Sequence, residues 1–407
     1  MNAKTFGQTL VKLRKKKGIT QNELADILNI CDKTVSKWET GCGYPEITQL
    51  PMLADVFGVS IDFLFKGDTK GIAIAGNILV DIVNSLDRYP EVSMLANVLD
   101  TVNAVGGSVP KTIIDIAKID PDVFLTAIGK VGNDDHGRFV LSQLKKYGID
   151  TSNVLISQTA PTANSNVMQD TTTGTRTFFL TSGANGEFCI DDIDVDKLEC
   201  SMFHAGYVFL LDRFDEADEE YGTKMAKLLK KVSDRGIKTS LDAISTENEK
   251  FAETLRPALK QCDYVILNEI ESCKAAGLDP RNADGSLNVD NIRKAMEAII
   301  DFGVREKVII HCTEAGFLMN ASDKKMITVP SLKLPSGYIK GSVGAGDAYA
   351  AGCLYGLYCG FEDTYLLEFA SAAAAANLSE PDSISGMKTR AEIEQIMNKY
   401  ERRTMEV

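Results

Sequence analysis

Two kinds of hydrophobic spacing divide this chain. Near its start, apolar residues recur three and four apart: Phe6, Leu10 and Leu13, then Leu24, Ala25 and Leu28. That spacing predicts short amphipathic helices. Thr20 stands before Gln21, Asn22 and Glu23, a capping-box arrangement with Thr20 as N-cap and Glu23 at the third helical position. Gly18 closes the helix before it. A turn at Asn29, Ile30 and Cys31 leads to a predicted helix over 32–39, which Gly41, Gly43 and Pro45 stop. Two further helices fit 46–57 and 61–65. Short helices with a tight turn between the second and third predict a helix-turn-helix bundle over residues 1–66.

Beyond a short polar join, Gly67-Asp68-Thr69-Lys70-Gly71, the pattern changes. A linker this short keeps its two domains close. Apolar runs at 72–75, 123–127, 207–211, 238–241, 264–267 and 308–311 alternate with helical stretches such as 137–147, 221–235 and 291–302. Alternation of that kind predicts an α/β domain over 71–400, a parallel sheet with helices on both faces. The segments 81–105 and 162–179 are richer in Thr, Val and strict alternation, and read as a small projecting sheet.

Composition narrows the function classes. The 407 residues are 44% apolar and 25% charged, ordinary for a globular chain with room for two or three domains. A net charge of −13 argues against general nucleic-acid binding. The imbalance is uneven, however: residues 1–68 carry nine Lys/Arg against eight Asp/Glu. Nine scattered cysteines without a Cys-x-x-Cys pair suggest reduced thiols in a cytosol. With only His136, His204 and His311, which read as structural residues, a zinc site is not expected. No apolar run approaches membrane-spanning length and no signal core opens the chain, so the expectation is a cytoplasmic protein without a membrane partner.

The densest chemistry lies at Gly341-Ser342-Val343-Gly344-Ala345-Gly346-Asp347-Ala348. Gly344 and Gly346 let a backbone approach an anion closely, and the helix that follows points its first N–H groups there. Asp347 sits where its carboxylate could take a proton from an attacking hydroxyl. Anion cradle and base together suit phosphoryl transfer to an alcohol. Alone, the same residues would serve equally as a helix cap, with Asp347 as partner of the helix dipole. No Gly-x-x-x-x-Gly-Lys-Ser/Thr loop occurs, so a Walker-type nucleotide site is excluded.

Thr20-Gln21-x-x-Leu24-Ala25, Thr34-Val35-Ser36-Lys37-Trp38-Glu39-x-Gly41 and Pro45 resemble the lambda-repressor/Cro-like (XRE) helix-turn-helix family, at several fixed spacings at once. The resemblance implies double-stranded DNA as a partner, with the third helix in the major groove. Lys33, Thr34, Ser36 and Lys37 would then face bases or phosphates, and Gln21 the backbone. Val35 and Trp38 would point into the bundle. Asp32 reads either as an N-cap or as an acceptor from a cytosine amine. The run Lys12, Arg14, Lys15, Lys16, Lys17 reads as a solvated basic face if DNA is not the partner. So small a domain would need a homodimer spanning two half-sites.

The remainder resembles the ribokinase-like (PfkB) carbohydrate kinase family, with motifs in the family's order. Gly76-Asn77 with Asp81 resembles its first strand end, where an Asp grips sugar hydroxyls. Gly106-Gly107 resembles its double glycine beneath the sugar. Gly129-x-Val131-Gly132-x-Asp134-x-x-Gly137 resembles the next signature. Asn268-x-x-Glu271 resembles its element near magnesium and phosphates, and Gly344-Ala345-Gly346-Asp347 its anion hole and base. The resemblance implies an ATP-dependent sugar kinase using Mg2+, with no direct metal ligand, and a strand lid over a sugar or sugar derivative. Thr313, Gly316 and Ser342 would lie on the nucleotide side.

Three positions depart from the family pattern. Lys111 replaces the usual Asn and brings a cation suited to an anionic substrate. Gly341 replaces a carboxylate used near a monovalent cation. Thr313 replaces a glycine of the nucleotide loop. Three functions therefore stand: an active sugar kinase with a DNA-binding head, a regulator whose kinase fold senses a sugar or nucleotide without turnover, and a nucleoside kinase. Phe178-Phe179 is expected in the lid core. An aromatic among Phe178, Phe179 and Phe188 turned toward the sugar site would favour the nucleoside.

Overall fold

The computed structural model describes residues 3–59, 61–66, 70–172 and 175–404. The linker residues 67–69 lie outside the described residues. Two compact units make up the chain, one based on the residues before Gly71 and one on those after it, apart from Leu354–Leu366, which group with the first.

The first unit holds helices α1 (Ala3–Lys16), α2 (Gln21–Leu28), α3 (Asp32–Glu39), α4 (Gln49–Phe57) and α5 (Ile61–Lys66). Phe6, Leu10, Leu24, Leu28, Val35, Trp38 and Leu53 form its buried core. The predicted capping box is present: Thr20 accepts from Glu23 N, and the Glu23 side chain accepts from Thr20 N. Asn29, at φ 54°, closes α2 in the left-handed conformation that the tight turn requires. Two expectations need correction. The fourth helix starts at Gln49 rather than at 46, because Pro51 has no N–H and its ring excludes a helical carbonyl four residues earlier. Asp32 is not an N-cap: Cys31 occupies that position, and Asp32 is the first helical residue.

In the second unit the order is β1 (Ile72–Gly76), β2 (Leu79–Leu86), β3 (Val98–Gly106), α6 (Ser108–Ile119), β4 (Leu125–Gly132), α7 (Asp135–Lys146), β5 (Asp150–Ser157), β6 (Ala163–Asp170), β7 (Arg176–Thr181) and β8 (Met202–Val208). After these come α8 (Asp212–Asp215), β9 (Ala217–Asp218), β10 (Gly222–Thr223), α9 (Lys224–Asp234), β11 (Lys238–Ala243), α10 (Phe251–Leu259), β12 (Tyr264–Asn268), α11 (Glu269–Ala276) and α12 (Val289–Asp301). Strands β13 (Lys307–His311), β14 (Ala315–Asn320) and β15 (Met326–Pro330) precede α13 (Ala345–Cys359), α14 (Asp363–Asn377) and α15 (Arg390–Lys399).

Nine strands form the main sheet in the order β15-β14-β13-β12-β11-β8-β1-β4-β5. All neighbours from β13 to β5 pair in parallel, while β14 pairs antiparallel with both β13 and β15. Successive residues of β1 and β4 are buried alike, so both faces of the sheet are covered. A second sheet, β3-β2-β6-β7, is the projecting lid read from the alternating segments. The run expected at 207–211 belongs to a strand that starts earlier, at Met202. His204 and Gly206 interrupt the apolar signal there, yet both are paired to β1.

Candidate active site

A cavity of about 550 Å3 is walled on one side by the lid. Every second residue of β2 faces it, Leu79, Asp81, Val83 and Ser85, as the period of a strand requires. Its inner end is built from Asn77, Gly107, Lys111 and Tyr207. Asn77 is fully buried, and its Oδ1 accepts from Ser108 N at 3.1 Å and Tyr207 N at 3.2 Å. Its Nδ2 has no partner among the described residues, which leaves its two N–H donors for a ligand. The double glycine is not a hairpin turn. A Cβ on Gly106 would strike Asp81, 2.8 Å away, and Gly107, at φ +87°, is the N-cap of α6 beside Asn77. Both glycines make room for the polar residues expected at the substrate.

Lys111 on α6 pairs with Asp81 at 3.3 Å. Burial pulls the lysine's proton affinity down, but Asp81 and Asp347 outweigh it and raise the pKa above the usual range. Arg176 on β7 also lines the cavity and has no ion pair among the described residues. Burial lowers its proton affinity and Asp81 only partly opposes this. The cavity therefore presents two cations.

Asp347 lies in the first turn of α13 and is buried. The Tyr207 hydroxyl donates to its Oδ1. Burial raises the carboxyl's pKa, while Lys111 and the Tyr207 hydrogen bond pull it back. Asp347 is not itself among the cavity-lining residues; Tyr207 and Lys111 connect it to them. Gly344 has φ +77°, so the turn needs a glycine there. Ala345 and Gly346 open the helix, whose first N–H groups have no intrahelical acceptors.

Asn268 caps α11 in a second capping box. Its side chain accepts from Glu271 N at 2.9 Å, and Glu271 Oε2 accepts from Asn268 N at 3.0 Å. Ser245 Oγ and Asn268 Nδ2 both donate to Glu271 Oε1, at 2.9 and 2.7 Å. Burial still lifts Glu271 to about 7. Asp242, at the end of β11, is raised well above the carboxylate range by burial, then by Glu271 and Asp347. Two buried carboxyls short of positive charge form an oxygen donor set suited to a hard divalent cation that keeps some of its water. Among the described residues, no group of three or more His, Cys, Asp or Glu could hold a metal ion alone.

The other nucleotide-side residues stand apart from the cavity. Thr313 is exposed between β13 and β14, and Ser342 is exposed before the glycine turn. Gly316 is buried in β14, where the Tyr349 hydroxyl occupies the space a Cβ would need. Packing accounts for that glycine. The lid phenylalanines are also a correction: neither is core. Phe178 is 58% exposed and lines the cavity, while Phe179 is 53% exposed on the alternate face of β7. Phe188 is the buried one. Tyr207, Arg176 and Asp242 were not singled out by sequence reasoning. The only signal for them was their place at strand ends and on the lid.

In the first unit, Lys33 and Lys37 are exposed on α3, and Thr34 and Ser36 are half-buried beside them. Val35 and Trp38 point inward as expected. Gln21 donates to Glu39 Oε2 at 2.7 Å. Arg14 is not part of a solvated basic face: its guanidinium forks onto Glu39 at 2.5 and 2.9 Å and donates to Ile19 O. A Cβ on Gly7 would overlap the carbonyls of Trp38 and Glu39, so the glycine lets α1 meet the end of α3.

The model of the pfkB family of carbohydrate kinases matches residues 116–390, more than half of the chain. The chain belongs to this family. A helix-turn-helix model matches residues 10–64, so the kinase carries an XRE-type head. The chain is similar to the 5-dehydro-2-deoxygluconokinase of Geobacillus thermodenitrificans (strain NG80-2), 25% identical over 309 residues, covering 72% of this chain and 84% of that protein. Its head is similar to the HTH-type transcriptional activator BcrR of Enterococcus faecalis, 40% identical over 63 residues, 16% of this chain and 31% of that one. In structure the kinase is similar to Arabidopsis thaliana ribokinase complexed with ribose and ATP. The TM-score is 0.67 at 18% identity, covering 81% of this chain and 99% of that one.

Proposed function

We propose that the kinase unit transfers the γ-phosphate of ATP to a hydroxyl of an acidic sugar, with Asp347 as base. The observation that carries this reading is Asp347 buried at a helix N-terminus, hydrogen-bonded by Tyr207 and facing Lys111. Asp347 accepts the proton as the hydroxyl attacks, and the Tyr207 O–H holds the accepting carboxylate in place. The first N–H groups of α13 face the charge that develops on the transferred group. Asn77 Nδ2 and Asp81 orient the acceptor's hydroxyls, and the lid keeps water away. Lys111 and Arg176 meet the acceptor's carboxylate, which agrees with the sugar acid in the relative's name. Asp242 and Glu271 fit Mg2+ and would hold it through its water, with no direct protein ligand. When bound, it neutralises phosphate charge.

Residues 1–66 act as the DNA-binding head of a homodimer, with Lys33, Thr34, Ser36 and Lys37 at the groove, and the protein works in the cytoplasm. Nine free cysteines suit a reducing compartment. No helix among the described residues is long and apolar enough to cross a membrane. A second reading, a sugar or nucleotide sensor with little turnover, draws on the Lys111–Asp81 pair, which already engages the carboxylate assigned to sugar hydroxyls.

Incubation of the full chain with ATP, Mg2+ and a panel of sugar acids, neutral sugars and nucleosides, followed by mass spectrometry, tests the proposal. A phosphorylated sugar acid is expected. A phosphorylated nucleoside would move the assignment to a base stacked on Phe178. No product, with one compound raising the melting temperature, would make the unit a sensor.

A further inference from the structure

Helix α6 carries a line of charge that substrate binding does not use up. Positions 111, 115 and 118 lie four and three residues apart and so share one face. Lys111 serves Asp81. Asp115 is fully buried, and neither of its oxygens has a hydrogen-bond partner among the described residues. Lys118 sits one turn further, where its Nζ donates to the backbone oxygens of Ile384 at 2.6 Å and Ser385 at 3.2 Å.

Those carbonyls belong to a stretch that packs on the anion-hole turn. Lys340 N donates to Leu378 O at 2.9 Å, and Asn377 Nδ2 donates to Val343 O at 2.9 Å. A Cβ on Gly341 would lie 2.8 Å from Pro381 O, and one on Gly344 would lie 2.7 Å from Ser383 Cβ. The two segments therefore touch without slack on either side of Val343. Asp382 accepts from Ile384 N at 2.9 Å and Ser385 N at 2.6 Å, so the loop is already folded back on itself. Lys118 is its tie to α6.

We propose that Lys118 is a positioning residue for phosphoryl transfer: its ammonium holds the Ile384 and Ser385 carbonyls, which presses the loop on Gly344 and fixes the aim of the first N–H groups of α13. An oxyanion-type site is effective only when its donors are set before the charge arrives. A charge-assisted bond to two carbonyls stiffens the loop that packs on Gly344. Burial lowers the proton affinity of Lys118, and Asp115, between the two lysines, partly opposes this.

The inference rests on the kinase reading and is tested without knowledge of the acceptor. The probes are Mg-ADP and its γ-phosphoryl analogue Mg-AMP-PNP, titrated into the full chain and into Lys118→Ala and Lys118→Arg. In Lys118→Ala the preference between the two nucleotides, set by contacts to the γ-phosphoryl group, shifts about tenfold against AMP-PNP with ADP affinity retained. Ammonium chloride restores it by refilling the space on the two carbonyls; tetramethylammonium chloride does not, and Lys118→Arg keeps most of it. An unchanged preference in Lys118→Ala, or an equal loss for both nucleotides that ammonium leaves uncorrected, would overturn the role of Lys118 alone. A wild-type chain that binds neither nucleotide would overturn this inference together with the kinase reading.

Discussion

The two units handle buried charge in opposite ways. In the head, the Arg14 and Glu39 side chains are only 13% and 4% exposed, yet each carboxylate oxygen of Glu39 receives donors from Arg14, with Gln21 adding a third bond. Nothing there is left for a ligand, and the cluster ties three helices together. In the kinase unit, Asp242, Glu271, Asp347 and Asp115 are all buried, and burial raises the pKa of every one. Among the described residues none of these four carboxyls has an ion pair like that of Glu39. Satisfied charge marks structure, and charge awaiting a partner marks chemistry.

The largest effect that sharpens this contrast is in the head. Glu39→Gln leaves the Arg14 guanidinium buried without its counter-charge, and should destabilise the head by about 3 kcal/mol. Trp38 is the only tryptophan in the chain, so its fluorescence in a urea titration reports the head alone. An unchanged midpoint would mean the cluster is not a structural tie.

A second effect concerns pH. Glu271 sits near 7 because burial penalises its charged form, and Asp347 is raised for the same reason. In the proposed mechanism both act deprotonated, as cation holder and as base. Turnover should therefore fall about tenfold per unit of pH below about 7, and more steeply where Asp347 is protonated as well. A rate that stays flat down to the ordinary carboxylate range would break the comparison.

How much of this was legible depends on sequence distance. The capping boxes at Thr20–Glu23 and Asn268–Glu271 and the turn at Gly344 are local devices, so residue type and spacing reveal them. The alternating lid was legible for the same reason. The Tyr207–Asp347 bond joins positions 140 residues apart, and Lys118 meets carbonyls 266 and 267 residues away. No spacing rule reaches that far; only the topology of the sheet brings them together. The alternative of a solvated basic face included Arg14 because a basic run looks alike whether one member folds inward or none does. Phe178 was assigned to the lid core because a strand's two faces cannot be ranked until the cavity side is known.

The smallest effect lies on the head's surface. Lys37 is exposed on α3, so Lys37→Ala should leave folding alone, weaken binding to a labelled duplex about evenly across sequences, and lower the salt slope by about 1. Fluorescence anisotropy at several salt concentrations reads both. An unaltered slope would remove Lys37 from the phosphate contacts.

The central claim is that the buried Asp347 of the kinase unit acts as the base for phosphoryl transfer. Its most direct test is acceptor-dependent ATP consumption by the full chain beside Asp347→Asn, each also titrated with Mg-ADP. The account predicts that the substitution cuts turnover by about 10³-fold or more while nucleotide affinity stays within a few-fold. A variant that retains most of its turnover would contradict it.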